Sequence, residues 1–255
     1  MRAMPLCRCL PLAAAAVLSL GWPAPAAAET CGKVLVMKGT AMVERGGQTQ
    51  PLTVNEDVDT GDTIEAPGDA KVRLRMNDGS ILTVAADGRL SLDKYAVDGS
   101  GRRQEGDMTM LSGTLRAVVN AGTGTPDFEV KTTTAVAAAR GTEWYVETQG
   151  DTTQVSVVSG TVSLAGADGR APETLPPMST AGVAANQAPS AVRPLTQAEL
   201  AALVERTSLG AGLCQCIAIK DAELASCRLS PQECEALCGS HYSFVPAAGE
   251  TCGSR

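Results

Sequence analysis

Aromatic side chains are almost missing from this chain. Two Phe, three Tyr and two Trp make up 3% of 255 residues. Sugar-binding faces stack their ligands on exposed aromatic rings, so this composition argues against one. Histidine is scarcer still, with His241 alone. A Ser or Cys nucleophile normally needs an imidazole base, so hydrolase chemistry of that kind has little to draw on. The motifs G-x-S-x-G and H-E-x-x-H and a phosphate-binding P-loop are all missing. Carboxylate pairs such as Asp57 and Asp59 occur, but 28 acidic residues will pair by chance, and a glycosidase also needs a sugar-lined cleft. The reading is therefore no enzyme and no cofactor, with a periplasmic hydrolase or redox enzyme as the most remote alternative.

Long apolar runs are also lacking. The longest, Leu10 to Leu20, has eleven residues, short of the roughly 20 that span a bilayer. With Arg2 and Arg8 before it and Ala26-Ala27-Ala28 after it, it reads as the core of an export signal over residues 1–28, with Glu29 the expected first mature residue. The expected location is the periplasm or outside the cell, with no membrane span in the mature chain. Cleavage removes two of 21 basic residues and none of the 28 acidic ones, leaving 19 against 28. So acidic a surface argues against non-specific nucleic-acid or anionic-membrane binding. Lys71, Arg73 and Arg75 alternate along one strand and are expected on a solvated face.

From Gly32 to about Ala167 the chain alternates short apolar stretches with Gly-rich turns. Val72, Leu74 and Met76 form a half-buried strand, and Asn77-Asp78-Gly79-Ser80 is read as a type I′ hairpin turn. A second turn is expected at Asp87-Gly88, and a strand from Met108 to Val119. Ala135 to Ala139 is read as extended despite its alanines. Such spacing predicts an all-β fold: a short-stranded sandwich, a barrel or a solenoid.

Three ordered motifs carry more. The first is Thr60-Gly61-Asp62-Thr63-Ile64. The second is the Leu74 to Ser80 stretch with Asp78-Gly79-Ser80. The third runs from Thr132 through Arg140-Gly141-Thr142 and Trp144 to Val146, Val155, Val157, Gly160 and Val162. Over about Leu52 to Ala165 the chain resembles the FecR domain, named after the iron-dicitrate sensory regulator. The resemblance implies a periplasmic β module without known catalysis. FecR regulators place a cytoplasmic segment before a membrane helix. Here about nine residues precede the apolar run, so the sigma-factor role is not expected to carry over. What the resemblance leaves is a non-enzymatic protein-binding or signalling module whose partner is another envelope protein. The alternative is a structural or adhesive scaffold of the envelope.

The motif residues are expected to be structural. Gly141 would relieve a conformation or contact that a Cβ forbids. Alternation puts Trp144 and Val146 on a core face and Glu143 and Tyr145 on the other. Arg140 is expected to pair with a carboxylate, and a ligand pocket around it is the competing reading.

After the β domain, assigned to 29–170, Pro172, Pro176, Pro177, Pro189 and Pro194 mark an expected extended linker over 171–194. A small helical, cysteine-rich tail is expected over 195–255. Thr196 and Glu199 make a capping box, with Leu195 and Leu200 as hydrophobic staple and Gly210 as C-cap. A second helix start is read at Ser230-Pro231-Gln232-Glu233. Cys214, Cys216, Cys227, Cys234, Cys238 and Cys252 are expected to staple the tail by disulfides, in pairings that spacing cannot choose. Cys31 is the odd thiol: free, paired with the tail, or bridging a dimer. Zinc on Cys234, Cys238 and His241 is the rival reading and is set below disulfides for an exported chain.

Overall fold

A computed structural model describes residues 29–123, 128–169 and 171–209, together with the backbone of three strands at 212–216, 228–229 and 242–246. The strands are β1 Thr30–Lys38, β2 Met42–Arg45, β3 Gln48–Pro51, β4 Asp57–Asp59, β5 Thr63–Ala66, β6 Lys71–Met76, β7 Ile81–Val97 and β8 Arg103–Val118. They continue as β9 Phe128–Lys131, β10 Ala135–Ala139, β11 Glu143–Gln149, β12 Thr152–Ser159, β13 Val162–Gly166, β14 Glu173–Leu175, β15 Ser179–Ala184 and β16 Arg193–Pro194. The helix α1, Gln197–Thr207, follows, then β17 Gly212–Cys216, β18 Arg228–Leu229 and β19 Tyr242–Pro246.

β1 to β16 form one continuous 16-stranded sheet. Its hinge is the β7–β8 ribbon. Residues 81–85 of β7 pair with β6, whereas residues 88–91 pair with β5. The C-terminal part of β8 pairs with β11, and its middle pairs in parallel with β9. One half of the sheet therefore runs β4-β1-β6-β7-β8-β11-β12-β15-β16, and the other β3-β2-β5-β7-β8-β9-β10-β13-β14. A single apolar cluster draws Leu74, Leu82, Trp144 and Val155 from the first half and Ile64, Leu90, Val130 and Leu164 from the second. The halves face each other across this core.

The all-β expectation holds. Asp87-Gly88, read as a turn, lies inside β7 instead. The register shifts between Ala85 and Arg89, and Asp87 takes a φ of 58°. A Cβ on Gly88 would lie 2.6 Å from Val84 Cγ1, so glycine permits the bulge. This bulge redirects β7 from one half of the sheet to the other. β8 likewise begins at Arg103, five residues before the expected strand, and bends at Gly113 with a φ of 81°. The Asn77–Ser80 turn joins β6 to β7, but only Gly79 has positive φ, at 82°, so it is not the type I′ turn expected. The Asp78 carboxylate holds it by accepting from Ser80 N at 2.9 Å. Ala135–Ala139 is extended, as read.

The stretch 171–194 is not a spacer. β15 pairs with β12 over Thr152↔Ala184 to Val157↔Ser179, and β14 and β16 add edge strands. Thr180, Ala181 and Val183 of β15 are buried. The prolines misled because they occupy the segments between strands and the short edge strand β16, where a missing N–H costs nothing. α1 begins as read: Thr196 Oγ1 accepts from Glu199 N, and Glu199 returns a carboxylate to Thr196 N at 2.9 Å. It ends at Ser208 rather than Gly210, which lies outside the described residues. β17 to β19 form a separate three-stranded sheet in the order β18-β17-β19, so the tail is not wholly helical as expected. The second helix start at Ser230 and the tail side chains, including all six tail cysteines and His241, lie outside what is described. No helix among the described residues is long and apolar enough to cross a membrane.

Candidate functional site

The Asp78-Gly79-Ser80 motif forms the rim of a buried polar knot. Asp78 Oδ1 accepts from Tyr95 Oη at 2.6 Å. Its Oδ2 accepts from Ser80 Oγ at 2.7 Å and from Arg103 Nη1. Arg103 also donates to Asn120 O at 2.7 Å, and Asn120 Nδ2 donates to Asp78 O at 3.0 Å. The guanidinium lies over the Phe128 ring, 5.1 Å from its centroid, and Phe128 meets Trp144 edge to face at 6.2 Å. A chain of contacts thus links the second motif to the third. Burial, then the Asp78 charge, holds the Tyr95 phenol well above its ordinary pKa.

In the first motif Asp62 is 1% exposed and receives a bidentate pair from Arg45, Nε at 2.8 Å and Nη2 at 2.7 Å. It also accepts Asp59 N at 2.8 Å. Gly61 turns with a φ of 93°. The Asp62 bonds raise the Arg45 pKa further, and the pair ties β2 to the β4–β5 corner.

The third motif is a turn held by backbone and hydroxyl bonds. Gly141 has a φ of 62°, and Thr142 Oγ1 donates to Arg140 O and Thr161 O, both at 3.2 Å. Gly160, at φ 77°, lies against this turn: a Cβ there would meet Thr142 Oγ1 at 2.6 Å and Gly141 O at 2.7 Å. Arg140 is exposed and donates to Gly122 O at 3.3 Å. Trp144 is fully buried in the core. Thr132 Oγ1 caps Ala135 N at 2.9 Å and bonds Thr153 Oγ1 at 2.7 Å, joining the β9–β10 turn to β12.

These residues do not converge on one cavity. A cleft of about 600 Å³ lies between the β11–β12–β15 edge and the end of α1. Its lining is mostly hydroxyl and amide: Gln149, Thr152, Gln154, Gln187 and Ser190, with the Glu147–Arg206 ion pair at 2.8 Å closing one side. Burial pushes the Glu147 carboxyl up, against the pull of Arg206. No family-motif glycine or aspartate lines it. The described residues also contain no group of three His, Cys, Asp or Glu side chains placed to hold a metal. Asp57 and Asp59 are engaged in ion pairs with Lys33 and Arg45. Cys31 is a free, buried thiol that donates to Val58 O at 3.4 Å.

The outer face of the first half-sheet was not foreseen. Arg73 is not solvated there, and Lys71 is half-buried. Arg73 is 1% exposed, with Nε donating to Thr83 Oγ1 at 3.2 Å, and Lys71 Nζ donates to Glu205 O at 2.9 Å and Ser208 O at 2.8 Å, at the end of α1. Tyr145 points outward as alternation predicts, yet it is buried under Leu195, Leu200 and Leu203. A leucine pattern at 195, 200 and 203 shows an apolar helix face but not where it docks.

Residues 62–163 match the family described as FecR protein. Two crystal structures of a "putative anti-sigma factor" from Parabacteroides distasonis are similar to the chain. One is 17% identical with a TM-score of 0.46, over 61% of this chain and 68% of that one. The other is 16% identical with a TM-score of 0.44, over 56% of this chain and 64% of that one, so the chain spans less than two thirds of its length. No curated protein matches the chain.

Proposed function

From the FecR domain formed by residues 62–163, we propose that this chain is a non-enzymatic signalling or regulatory module of the cell envelope that acts by binding another protein. The observation that carries this reading is the way the family motifs are used. Asp62, Asp78, Thr142 and Trp144 spend their polar and apolar groups on the fold itself. The family-specific residues thus make a scaffold, and recognition falls to its surface. The basic end of residues 1–28 and the Ala26–Ala28 site support export with cleavage before Glu29. The clustered cysteines from Cys214 to Cys252 support a disulfide-stapled tail in that oxidising compartment.

Deleting and complementing the gene in its own host tests the reading. A regulatory module changes a confined set of transcripts, and the wild-type gene restores them. Altered adhesion or envelope integrity with an unchanged transcript profile would instead favour the scaffold alternative. N-terminal sequencing of the exported protein checks the start at Glu29.

A further inference from the structure

The outer face of the second half-sheet alternates with core residues such as Ile64, Leu90 and Val130, and its polar groups are spent on one another. Arg89 pairs with Glu44 at 2.6 Å and Glu65 at 2.9 Å, and Lys131 with Glu129 at 3.1 Å and Asp107 at 3.7 Å. Asp93 accepts from Ser91 and Thr109, both at 2.5 Å. The cleft beside the end of α1 is built otherwise. Two rows of neighbours cross its floor on β11, β12 and β15, Glu147–Gln154–Gly182 and Gln149–Thr152–Ala184. Gln187 and Arg206 also line it.

Here the hydrogen-bonding groups are largely unspent. The Gln149 and Gln187 carboxamides have no side-chain partner among the described residues. Gln154 is held in place, with Nε2 donating to Thr180 Oγ1 at 2.5 Å, and its Oε1 stays free to accept. A Cβ on Gly182 would lie 2.8 Å from that oxygen, so glycine keeps it uncovered. The Glu147 side chain is 16% exposed and gives one oxygen to Arg206 at 2.8 Å. The β15 edge itself is closed: Gly182 N donates to Ser190 Oγ at 3.0 Å, and Gly182 O accepts from Ser190 N at 2.8 Å. A ligand must therefore meet side chains rather than add a strand.

The lining also defines the ligand. Glu147 and Arg206 cancel each other, so a charged group would enter without a free counter-charge. No aromatic ring lines the cleft, so a sugar ring has nothing to stack on. A carboxamide carries the donor and acceptor of a peptide bond, so the three glutamines match main-chain N–H and C=O groups. The volume of about 600 Å³ suits a short segment of chain.

We propose that this cleft docks an uncharged polar segment of a partner protein, rich in Ser, Thr, Asn or Gly, through the amides of Gln149, Gln154 and Gln187. The choice of a polypeptide rests on the protein-binding reading above.

Nuclear magnetic resonance of the full mature chain tests the site against a library of acetylated, amidated pentapeptides built from Ser, Thr, Asn and Gly. Library members should move the side-chain amide signals of Gln149 and Gln187, equally at low and high salt because no charges meet. The double variant Gln149→Ala/Gln187→Ala should weaken binding about tenfold, for two lost neutral hydrogen bonds. Ala188→Trp, which fills the cleft from an exposed loop position, should abolish binding with the melting temperature unchanged. Asp or Lys at the peptide centre should weaken binding about tenfold. If no library member moves the glutamine signals, the site is overturned. Movement by maltotriose and not by peptides would assign the cleft to a polyol and overturn the partner. A second test separates the cleft from the reading it rests on. Ala188→Trp should fail to restore the transcripts of the deletion strain. Full restoration by that variant would overturn the cleft and leave protein binding elsewhere on the surface intact.

Discussion

Arg103 and Asp78 form an ion pair in which both side chains are almost wholly out of water, 0% and 3% exposed. The pair joins the start of β8 to the β6–β7 turn, and Phe128 roofs it. Removing one partner strands the other charge. Arg103→Met should therefore cost about 3–5 kcal/mol in urea unfolding, the range for a broken buried pair. The double variant Arg103→Met/Asp78→Asn should recover part of that loss, because no uncompensated charge remains. Equal losses in single and double variants would show that packing over Phe128, not charge, is what Arg103 supplies.

Trp144→Ala should cost about 3–5 kcal/mol, as for other deleted core aromatics. The indole is fully buried and contacts Phe128 edge to face at 6.2 Å. As the only tryptophan after residue 28, it also reports on itself. The native emission maximum should be blue and shift red in a single transition on unfolding. A variant with an unchanged melting temperature would contradict its place in the core.

Two glycines of the third motif should respond differently to one methyl group. Gly141 has a φ of 62° with its nearest neighbour, Ala121 Cβ, at 3.6 Å, so Gly141→Ala meets backbone strain alone. That should cost about 1 kcal/mol. Gly160 has a φ of 77° and would also drive a Cβ to 2.7 Å from Gly141 O, a backbone atom that cannot swing aside. Gly160→Ala should cost more, about 2–4 kcal/mol, by thermal or urea unfolding. The reverse order would mean that the Thr142 turn relaxes more readily than its bonds suggest.

The legible parts of this fold were those written in local chemistry. The Thr196–Glu199 capping box, the inward alternation of Trp144 and Val146, and the extended Ala135–Ala139 could be read because two or three neighbouring residues decide them. Other features depended on distant partners. Asp87-Gly88 makes a turn in isolation, but pairing with both β5 and β6 turns it into a bulge inside a 17-residue strand. The prolines of 171–194 signal a linker until β12 offers an edge to pair with. Lys71 resembles any residue of a solvated alternation, because nothing near it in sequence announces that the carbonyls of Glu205 and Ser208, more than 130 residues away, will take its ammonium. Arg103 was overlooked for the same reason: its partner Asp78 was legible only as a turn residue.

Acid should act around α1 through two carboxylates whose shifts run in opposite directions. Bonds from Arg193 and from the Thr196 cap hold the Glu199 carboxyl down at about 2. Its contribution is present above the unfolded value near 4.5 and is lost as pH falls toward 2. Burial raises Glu147 instead, so its protonated form favours the folded state, and that contribution fades as pH rises through the raised value. Melting temperatures measured against pH should show Glu199→Gln flattening the limb between about 4.5 and 2. Glu147→Gln should leave that limb intact and remove the opposing trend above it. Identical profiles for the two variants would contradict this assignment.

Cys31 gives a test of how the β domain relates to the cysteine-rich tail. Its thiol is 1% exposed and bonded to Val58 O, and burial together with the Asp62 charge pushes it up to about 12. At pH 8 the thiolate fraction is then roughly a thousandfold below that of an ordinary cysteine. Alkylation of the native protein should leave residue 31 unlabelled, and unfolding should expose it, both read by peptide mass mapping. Because the thiol is free, a reductant has nothing to cleave at that position. Reduction should therefore leave the Trp144 unfolding transition at the same temperature, whatever it does to the six cysteines from Cys214 onward. A lowered transition on reduction would require a covalent link from β1 to the tail. In that case Cys31 would clamp the two parts together rather than sit idle in the core.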